Sequence, residues 1–320
     1  MKPALQRPDA VRDAVSGNWV DHNAPASWRP WLRLSRIDRP IGTWLVLLPC
    51  WWGVGLAMLA DRPRLVDLWI VLACGIGALV MRGAGCTWND ITDRDIDGSV
   101  DRTRKRPIPS GQVTLRGAVG WLVLQSLIGL VILLTLNGAA IWLGFLSLLP
   151  VAIYPFAKRF TWWPQVFLGI AFNWGAMLAY AAHQGRLDAA PVIAWFAGIA
   201  WTVFYDTIYA LQDAEDDALI GVRSTALLFG RDAPRWLAVF GAISVTLLAV
   251  AIAATGAEGA GWWVALAALA GFAAHLVWQL YQLDMDSDAV QLRLFRSNRD
   301  AGLILAVGLA LAAILQAALQ

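Results

Sequence analysis

Charge is scarce in this sequence. Only 15% of its 320 residues are Asp, Glu, Lys or Arg and 58% are hydrophobic, against roughly 25% charged in an average soluble domain. That deficit excludes an ordinary soluble domain and points to an integral membrane protein with the lipid bilayer as its first partner. Histidine is sparse too: His22, His183 and His275 are too scattered for a zinc site. The three cysteines, Cys50, Cys74 and Cys86, fall in apolar segments without metal or redox spacing, so core packing is their expected role. No secretory signal is expected, because the first forty residues are polar and carry both signs. A mitochondrial transit peptide is poorly supported, since Asp9, Asp13 and Asp21 interrupt the arginines. Net charge is only +2, and no nucleic-acid partner is expected.

Long apolar runs fill the space that charge leaves. Nine segments near 41–60, 66–88, 116–136, 139–157, 164–182, 191–211, 235–255, 261–281 and 301–319 are long enough to cross a bilayer as helices. Residues 1–28 are expected to form a flexible cytoplasmic arm, and 29–320 a single transmembrane domain that begins with a short interfacial helix over Trp28 to Pro40. Lys and Arg divide 21 to 3 between the two sides of the nine segments, with Arg82 left inside the second. By the positive-inside rule the basic side is cytoplasmic. The expectation is a bacterial inner (plasma) membrane protein whose active site lies on the cytoplasmic side.

Two acidic clusters end helix-like runs on that basic side. Asp90, Asp93, Asp95 and Asp97 stand within eight residues of one another, and Asp213, Glu215, Asp216 and Asp217 repeat the pattern after the sixth run. One Asp-x-x-Asp pair would be read as solvated surface. A second copy at an equivalent place is much harder to dismiss. Asn89, Asp93 and Asp97 follow i, i+4, i+8 spacing, which puts them on one face of a helix. Like charges held so close call for a neutralising cation, and Mg²⁺ is the natural candidate.

Basic residues accompany the acids: Arg94, Arg102, Arg104, Lys105 and Arg106, then Lys158 and Arg159, then Arg223. Arg82 lies inside an apolar run, where a central charge costs about 2.5–3.5 kcal/mol on insertion scales, so it is expected to face a polar cavity. Gly83 and Gly85 beside it leave room for a ligand or a helix to come close. Bare aspartates repel phosphate. Metal ions bridging carboxylates to a diphosphate, with cations on the remaining oxygens, resolve that conflict. A lipid-embedded site adds an apolar tail, and a polyprenyl diphosphate meets both demands. Metal and cations would then draw electrons into the departing diphosphate.

Met81-Arg82-Gly83-Ala84-Gly85-Cys86 leads into Asn89-Asp90-x-x-Asp93-x-x-x-Asp97, then Arg106-Pro107-Ile108-Pro109-Ser110-Gly111. Together with Tyr154-Pro155-Phe156-Ala157-Lys158-Arg159, Tyr205-Asp206-Thr207-Ile208-Tyr209-Ala210 and Gly221-Val222-Arg223-Ser224-Thr225-Ala226, this resembles the UbiA-type intramembrane prenyltransferases over about Arg36 to the C-terminus. The resemblance implies an all-α polytopic fold, nine transmembrane helices around a central cavity, and Mg²⁺ dependence. It also implies transfer of a polyprenyl group to the ring carbon ortho to the hydroxyl of 4-hydroxybenzoate, in ubiquinone synthesis. Asn89, Asp93, Asp97, Asp213, Asp216 and Asp217 match the metal-binding motifs, with Asp90, Tyr205 and Asp206 as further catalytic candidates. Arg36, Arg39, Arg82, Arg102, Arg106, Lys158, Arg159, Tyr209 and Arg223 are the substrate-binding candidates, Arg39 being favoured for the acceptor carboxylate. Arg223 stands where the family often has Lys, which keeps charge and alters geometry. The alternatives are another acceptor (homogentisate, naphthoate or haem) or, in a different class, a divalent-cation transporter. The transporter is disfavoured because both acidic clusters lie on one side.

Overall fold

A computed structural model of the chain describes residues 18–99, 103–214, 218–219 and 221–319. These residues form helices joined by turns, with no strand among them. Nine helical segments are long and apolar enough to cross a membrane: Ile41–Ala60, Val66–Thr92, Leu115–Leu133, Gly138–Phe160, Pro164–Gln184, Ala189–Asp213, Thr225–Ala253, Gly259–Gln282 and Asp288–Leu319. Every backbone polar group in lipid must be satisfied within its own segment, and helices achieve this. Large apolar side chains such as Leu72, Leu127, Val131, Trp142, Leu149 and Val307 point outward, as a bilayer solvent permits.

Several boundaries differ from the sequence reading for definite reasons. The second span continues to Thr92, so Asn89 and Asp90 belong to the helix rather than to a loop after it. The ninth begins at Asp288, thirteen residues before the apolar run, because its first turns carry Arg293, Arg296, Arg299 and Asp300. Hydropathy marks the stretch that sits in lipid, whereas hydrogen bonding sets the length of the helix. The fifth span is interrupted between Pro164–Phe172 and Gly175–Gln184. At that break Asn173 Nδ2 donates to the Gly169 carbonyl and to Thr202 Oγ1, both at 2.8 Å.

The chain divides into two compact units, residues 1–43 with 76–132 and residues 44–75 with 133–320. In the first, the interfacial helix Arg29–Leu34 packs Leu34 with Val113 and Ala118, flanked by Trp31, Ile91, Ile108 and Trp121. Residues 1–17 of the expected arm lie outside the described residues. Residues 18–28 include a short helix, Trp19–His22, capped by Asn18 and tied by Asp21 to Arg33 Nη2 at 2.7 Å. In the second unit, Ala189–Ala210 packs against Ala233–Ala253, and Gly259–Gln282 against Asp288–Leu319. Trp52 Nε1 donates to the Gly302 carbonyl at 2.9 Å, where Gly302 leaves no room for a side chain beside Leu48 and Trp201.

Candidate active site

The first acidic cluster sits where the second span ends. Asp93 N donates to the Asn89 carbonyl at 2.9 Å and Asp97 N to the Asp93 carbonyl at 2.8 Å, so helical bonding carries across the bend at Asp93 into Arg94–Ser99. The i, i+4 geometry expected for Asn89, Asp93 and Asp97 is therefore present in the backbone. Asp90, Asp93 and Asp97 are buried, the first two with no exposed surface.

Buried carboxylates need counter-charges, and two arginines supply them. Arg36 Nη2 meets Asp90 Oδ1 at 2.6 Å. Arg106 Nη1 lies 2.7 Å from Asp97 Oδ2 and 3.6 Å from Asp90 Oδ1, joining the two acids. The loop after the cluster explains how Arg106 arrives. Thr103 Oγ1 donates to the Asp97 carbonyl at 2.9 Å, and Arg106 N to the Thr103 carbonyl at 2.8 Å, which turns the chain back over the helix end. Burial pushes the Asp97 carboxyl above the usual carboxylate range, against the pull of Arg106. Asp90 Oδ2 and Arg106 Nε are buried with no hydrogen-bond partner among the described residues.

Arg36 reaches Asp90 from an unusual backbone. Its φ is 56°, making it the one non-glycine residue of positive φ among those described. For an L-residue that conformation costs about 1–2 kcal/mol, so surrounding bonds must hold it. Its carbonyl accepts from Arg82 Nη1 at 2.9 Å and from Arg39 N at 3.0 Å. Arg82 was expected to face a polar cavity. Its guanidinium bonds the chain turn at Arg36, and Gly42 makes this fit possible, since a Cβ there would collide with Arg82 Nε. Gly83 was expected to admit a ligand or a helix, and the helix is the occupant: an added Cβ would strike Gln125 Oε1. Arg39 Nε lies 3.4 Å from Asp38 Oδ2. Arg102 lies outside the described residues.

The second cluster is visible in part. Asp213 ends the sixth span on a turn of 3-10 helix, half-buried, whereas Asp216 and Asp217 lie outside the described residues. Two turns earlier on the sixth span stands Asp206, and in the same unit Gln165 Oε1 accepts from Thr225 N at 3.1 Å. Thr207 and Thr225 join their hydroxyls at 2.6 Å. Tyr205 is almost fully buried: its hydroxyl accepts from Thr202 at 3.1 Å and its ring packs between Trp201 and Phe295. That placement makes Tyr205 a core residue. Tyr209 stacks on Phe295 with centroids 4.5 Å apart.

Three cations of this unit gather on one strip of chain. Arg223 N donates to the Lys158 carbonyl at 3.3 Å and its Nη1 to the Phe160 carbonyl at 3.0 Å. Its guanidinium also covers Trp162, as that of Arg159 covers Phe156. Sequence reasoning missed Gln125 and Ser35. Gln125 carried the one available signal, an amide inside an apolar span.

Among the described residues, no three Asp, Glu, His or Cys side chains come close enough to hold an ion by themselves. The donors are hard carboxylate oxygens with an orphaned, buried Asp90 Oδ2 among them. Such a set fits Mg²⁺, which takes one or two protein carboxylates and completes its shell with phosphate oxygens and water. Soft or nitrogen-preferring metals would want the cysteines and histidines that are missing here.

The nine apolar spans and the buried acids and arginines at the end of the second define a polytopic membrane protein with a charged site at a helix end. Comparison with known proteins narrows this. The model of the UbiA prenyltransferase family matches residues 46–299, and the chain belongs to that family. It is 46% identical over 299 residues to the mitochondrial 4-hydroxybenzoate polyprenyltransferase of Bos taurus, covering 93% of this chain and 79% of the relative. It is 45% identical over 295 residues to the mitochondrial protein of that name from Arabidopsis thaliana, covering 92% and 71%. Among solved structures, a UbiA homolog from Archaeoglobus fulgidus bound to GPP and Mg²⁺ superposes with a TM-score of 0.66 at 22% identity, over 89% of this chain and 99% of that one. The fold is therefore the family's, and the transporter alternative falls away.

One expectation is overturned. The relatives compared are named as mitochondrial proteins, and the expectation of a bacterial plasma membrane with a cytoplasmic site does not stand. Lys and Arg asymmetry reports which side of a membrane is basic and carries nothing about which membrane it is. The integral-membrane reading stands on the nine apolar spans.

Proposed function

We propose that this protein transfers a polyprenyl group from polyprenyl diphosphate to the ring carbon ortho to the hydroxyl of 4-hydroxybenzoate, a reaction of ubiquinone synthesis. The observation that carries this reading is the buried set of Asp90, Asp93 and Asp97 with Arg36 and Arg106 at the end of a membrane helix, in a chain 46% identical to a protein named for that activity.

Asn89, Asp93 and Asp97 in one cluster, and Asp213 with Asp216 and Asp217 in the other, are the residues that would hold Mg²⁺. When bound, the metal neutralises the diphosphate and makes it a better leaving group. Arg102 and Arg106 in the first unit, and Lys158, Arg159 and Arg223 in the second, are the cations proposed for diphosphate oxygens. Guanidinium forks and an ammonium suit such oxygens. The allylic C–O bond breaks with its electron pair leaving on the diphosphate. The ring carbon ortho to the phenol oxygen then attacks the allylic carbon, and loss of the ring proton restores aromaticity. Asp206, on the sixth span, is the nearest acid to Tyr209 in sequence and the candidate to stabilise the developing cation. Arg39 holds the acceptor carboxylate.

Mass analysis of the products made by purified protein from Mg²⁺, 4-hydroxybenzoate and a mixture of prenyl diphosphates tests the reading. A product heavier than the acid by one prenyl unit of defined length supports it. Prenylation of homogentisate or a naphthoate instead, with 4-hydroxybenzoate left untouched, overturns the acceptor.

A further inference from the structure

Three buried side chains and the partly buried Trp121, none belonging to either acidic cluster, converge on the turn that carries Arg36. Trp121 Nε1 donates to Ser35 Oγ at 2.8 Å, and Ser35 Oγ donates to Gln125 Oε1 at 3.1 Å. Gln125 Nε2 reaches Thr87 Oγ1 at 3.5 Å and the Trp121 carbonyl at 3.3 Å. Thr87 in turn donates to the Gly83 carbonyl at 2.9 Å, one turn before the helix presents Asp90. Ser35, Thr87 and Gln125 are each at most 5% exposed. A glutamine amide in a lipid-spanning helix is costly unless its donors and acceptor are engaged. Here they are, and Gly83 supplies the space that lets Gln125 enter.

The network meets the chain at one place that needs holding. Ser35 immediately precedes Arg36, whose φ of 56° is unfavourable for a side-chain-bearing residue. Arg82 grips the turn from the carbonyl of Arg36, and the Ser35 hydroxyl grips it from the preceding residue. Both grips originate on the second and third spans, the second of which also carries Asp90. With the turn fixed at both ends, Arg36 Nη2 is delivered to Asp90 Oδ1.

We infer that Ser35 and Gln125, with Thr87 and Trp121, are positioning residues that hold Arg36 in its strained conformation, and thereby set the Asp90–Arg106–Asp97 array for binding a metal-bound diphosphate. The inference rests on the diphosphate reading given above. It assigns a function to the polar residues of the third span, which touch neither acid.

A double-mutant cycle decides it, read by binding of a non-reactive prenyl thiodiphosphate with Mg²⁺ and, separately, by thermal unfolding in detergent without ligand. Loss of one hydrogen bond at the turn weakens thiodiphosphate binding by about fivefold in Ser35→Ala and in Gln125→Leu. Ser35→Thr, which keeps the hydroxyl, restores binding. In an Arg36→Ala background neither substitution has further effect, because the residue through which they act is gone. The unfolding midpoints show the same non-additivity. Equal fivefold losses with and without Arg36, or additive shifts of the midpoint, overturn the positioning role. Failure of the unsubstituted protein to bind the thiodiphosphate overturns the diphosphate reading instead, and the unfolding cycle still judges whether Ser35 acts through Arg36.

Discussion

Arg36 Nη2 stands 2.6 Å from Asp90 Oδ1, and the two side chains are 8% and 0% exposed. The pair joins the interfacial turn to the second span across 54 residues of sequence. Breaking such a pair on one side is costly, because the surviving charge stays buried without its partner. Arg36→Ala is therefore expected to destabilise the protein by about 3 kcal/mol, the lower end of the usual range, since Arg106 remains 3.6 Å from Asp90. Combining it with Asp90→Asn removes the stranded charge and recovers part of the loss. Thermal unfolding of the two variants in detergent checks both statements.

Asp93 and Asp213 test the acids as ligands. Asp93→Ala and Asp213→Ala are each expected to lower prenyl transfer by about 10³-fold, the scale on which preorganised electrostatic stabilisation is lost. Helix content and membrane insertion should stay as in the unsubstituted protein, since both residues sit at the ends of spans. Circular dichroism and extraction behaviour measure the fold, and product mass measures transfer. Substantial activity remaining in either variant would contradict the ligand role.

The span count was legible because lipid imposes a length: each of the nine apolar runs contains enough residues to cross, and each is helical, the fifth with a break at Asn173. The ends were less so. The apolar run of the second span ends near residue 88, yet backbone bonding continues through Asp97, where Arg36 and Arg106 pair with the acids. Arg82 was recognised as unusual from its place in an apolar run, while its partner, a carbonyl 46 residues away, is a matter of tertiary packing. His183 looked isolated in sequence. It pairs through Nδ1 with Asp67 Oδ1 at 2.5 Å, across 116 residues that no local pattern spans. Lys and Arg asymmetry reports only that one side of the spans is basic, and the expected bacterial plasma membrane is not what the names of the mitochondrial relatives carry.

Metal dependence follows from the donor set. Chelation by EDTA is expected to abolish transfer, and Mg²⁺ to restore it, because the acids alone repel the diphosphate. Ca²⁺ should restore it poorly, as it demands more oxygen ligands in a looser shell than one or two carboxylates and a diphosphate supply. Product formation across a metal titration after chelation is the measurement. Full activity in EDTA would remove the metal bridge from the mechanism.

Arg39 separates the two substrates. It follows the Arg36 turn directly and its Nε faces Asp38 Oδ2 at 3.4 Å, whereas Arg36 pairs with Asp90 and Arg82 bonds the Arg36 carbonyl. A charge-assisted hydrogen bond to a carboxylate contributes about 1.5–3 kcal/mol, so Arg39→Ala should raise KM for 4-hydroxybenzoate by roughly 10- to 100-fold. KM for the prenyl diphosphate should change little, because the residues proposed for that substrate are untouched. Arg39→Lys should recover part of the loss, retaining charge without the planar fork. Steady-state kinetics with each substrate varied in turn reads the split. A larger effect on the prenyl diphosphate than on the aromatic acid would move Arg39 out of the acceptor site and onto the donor.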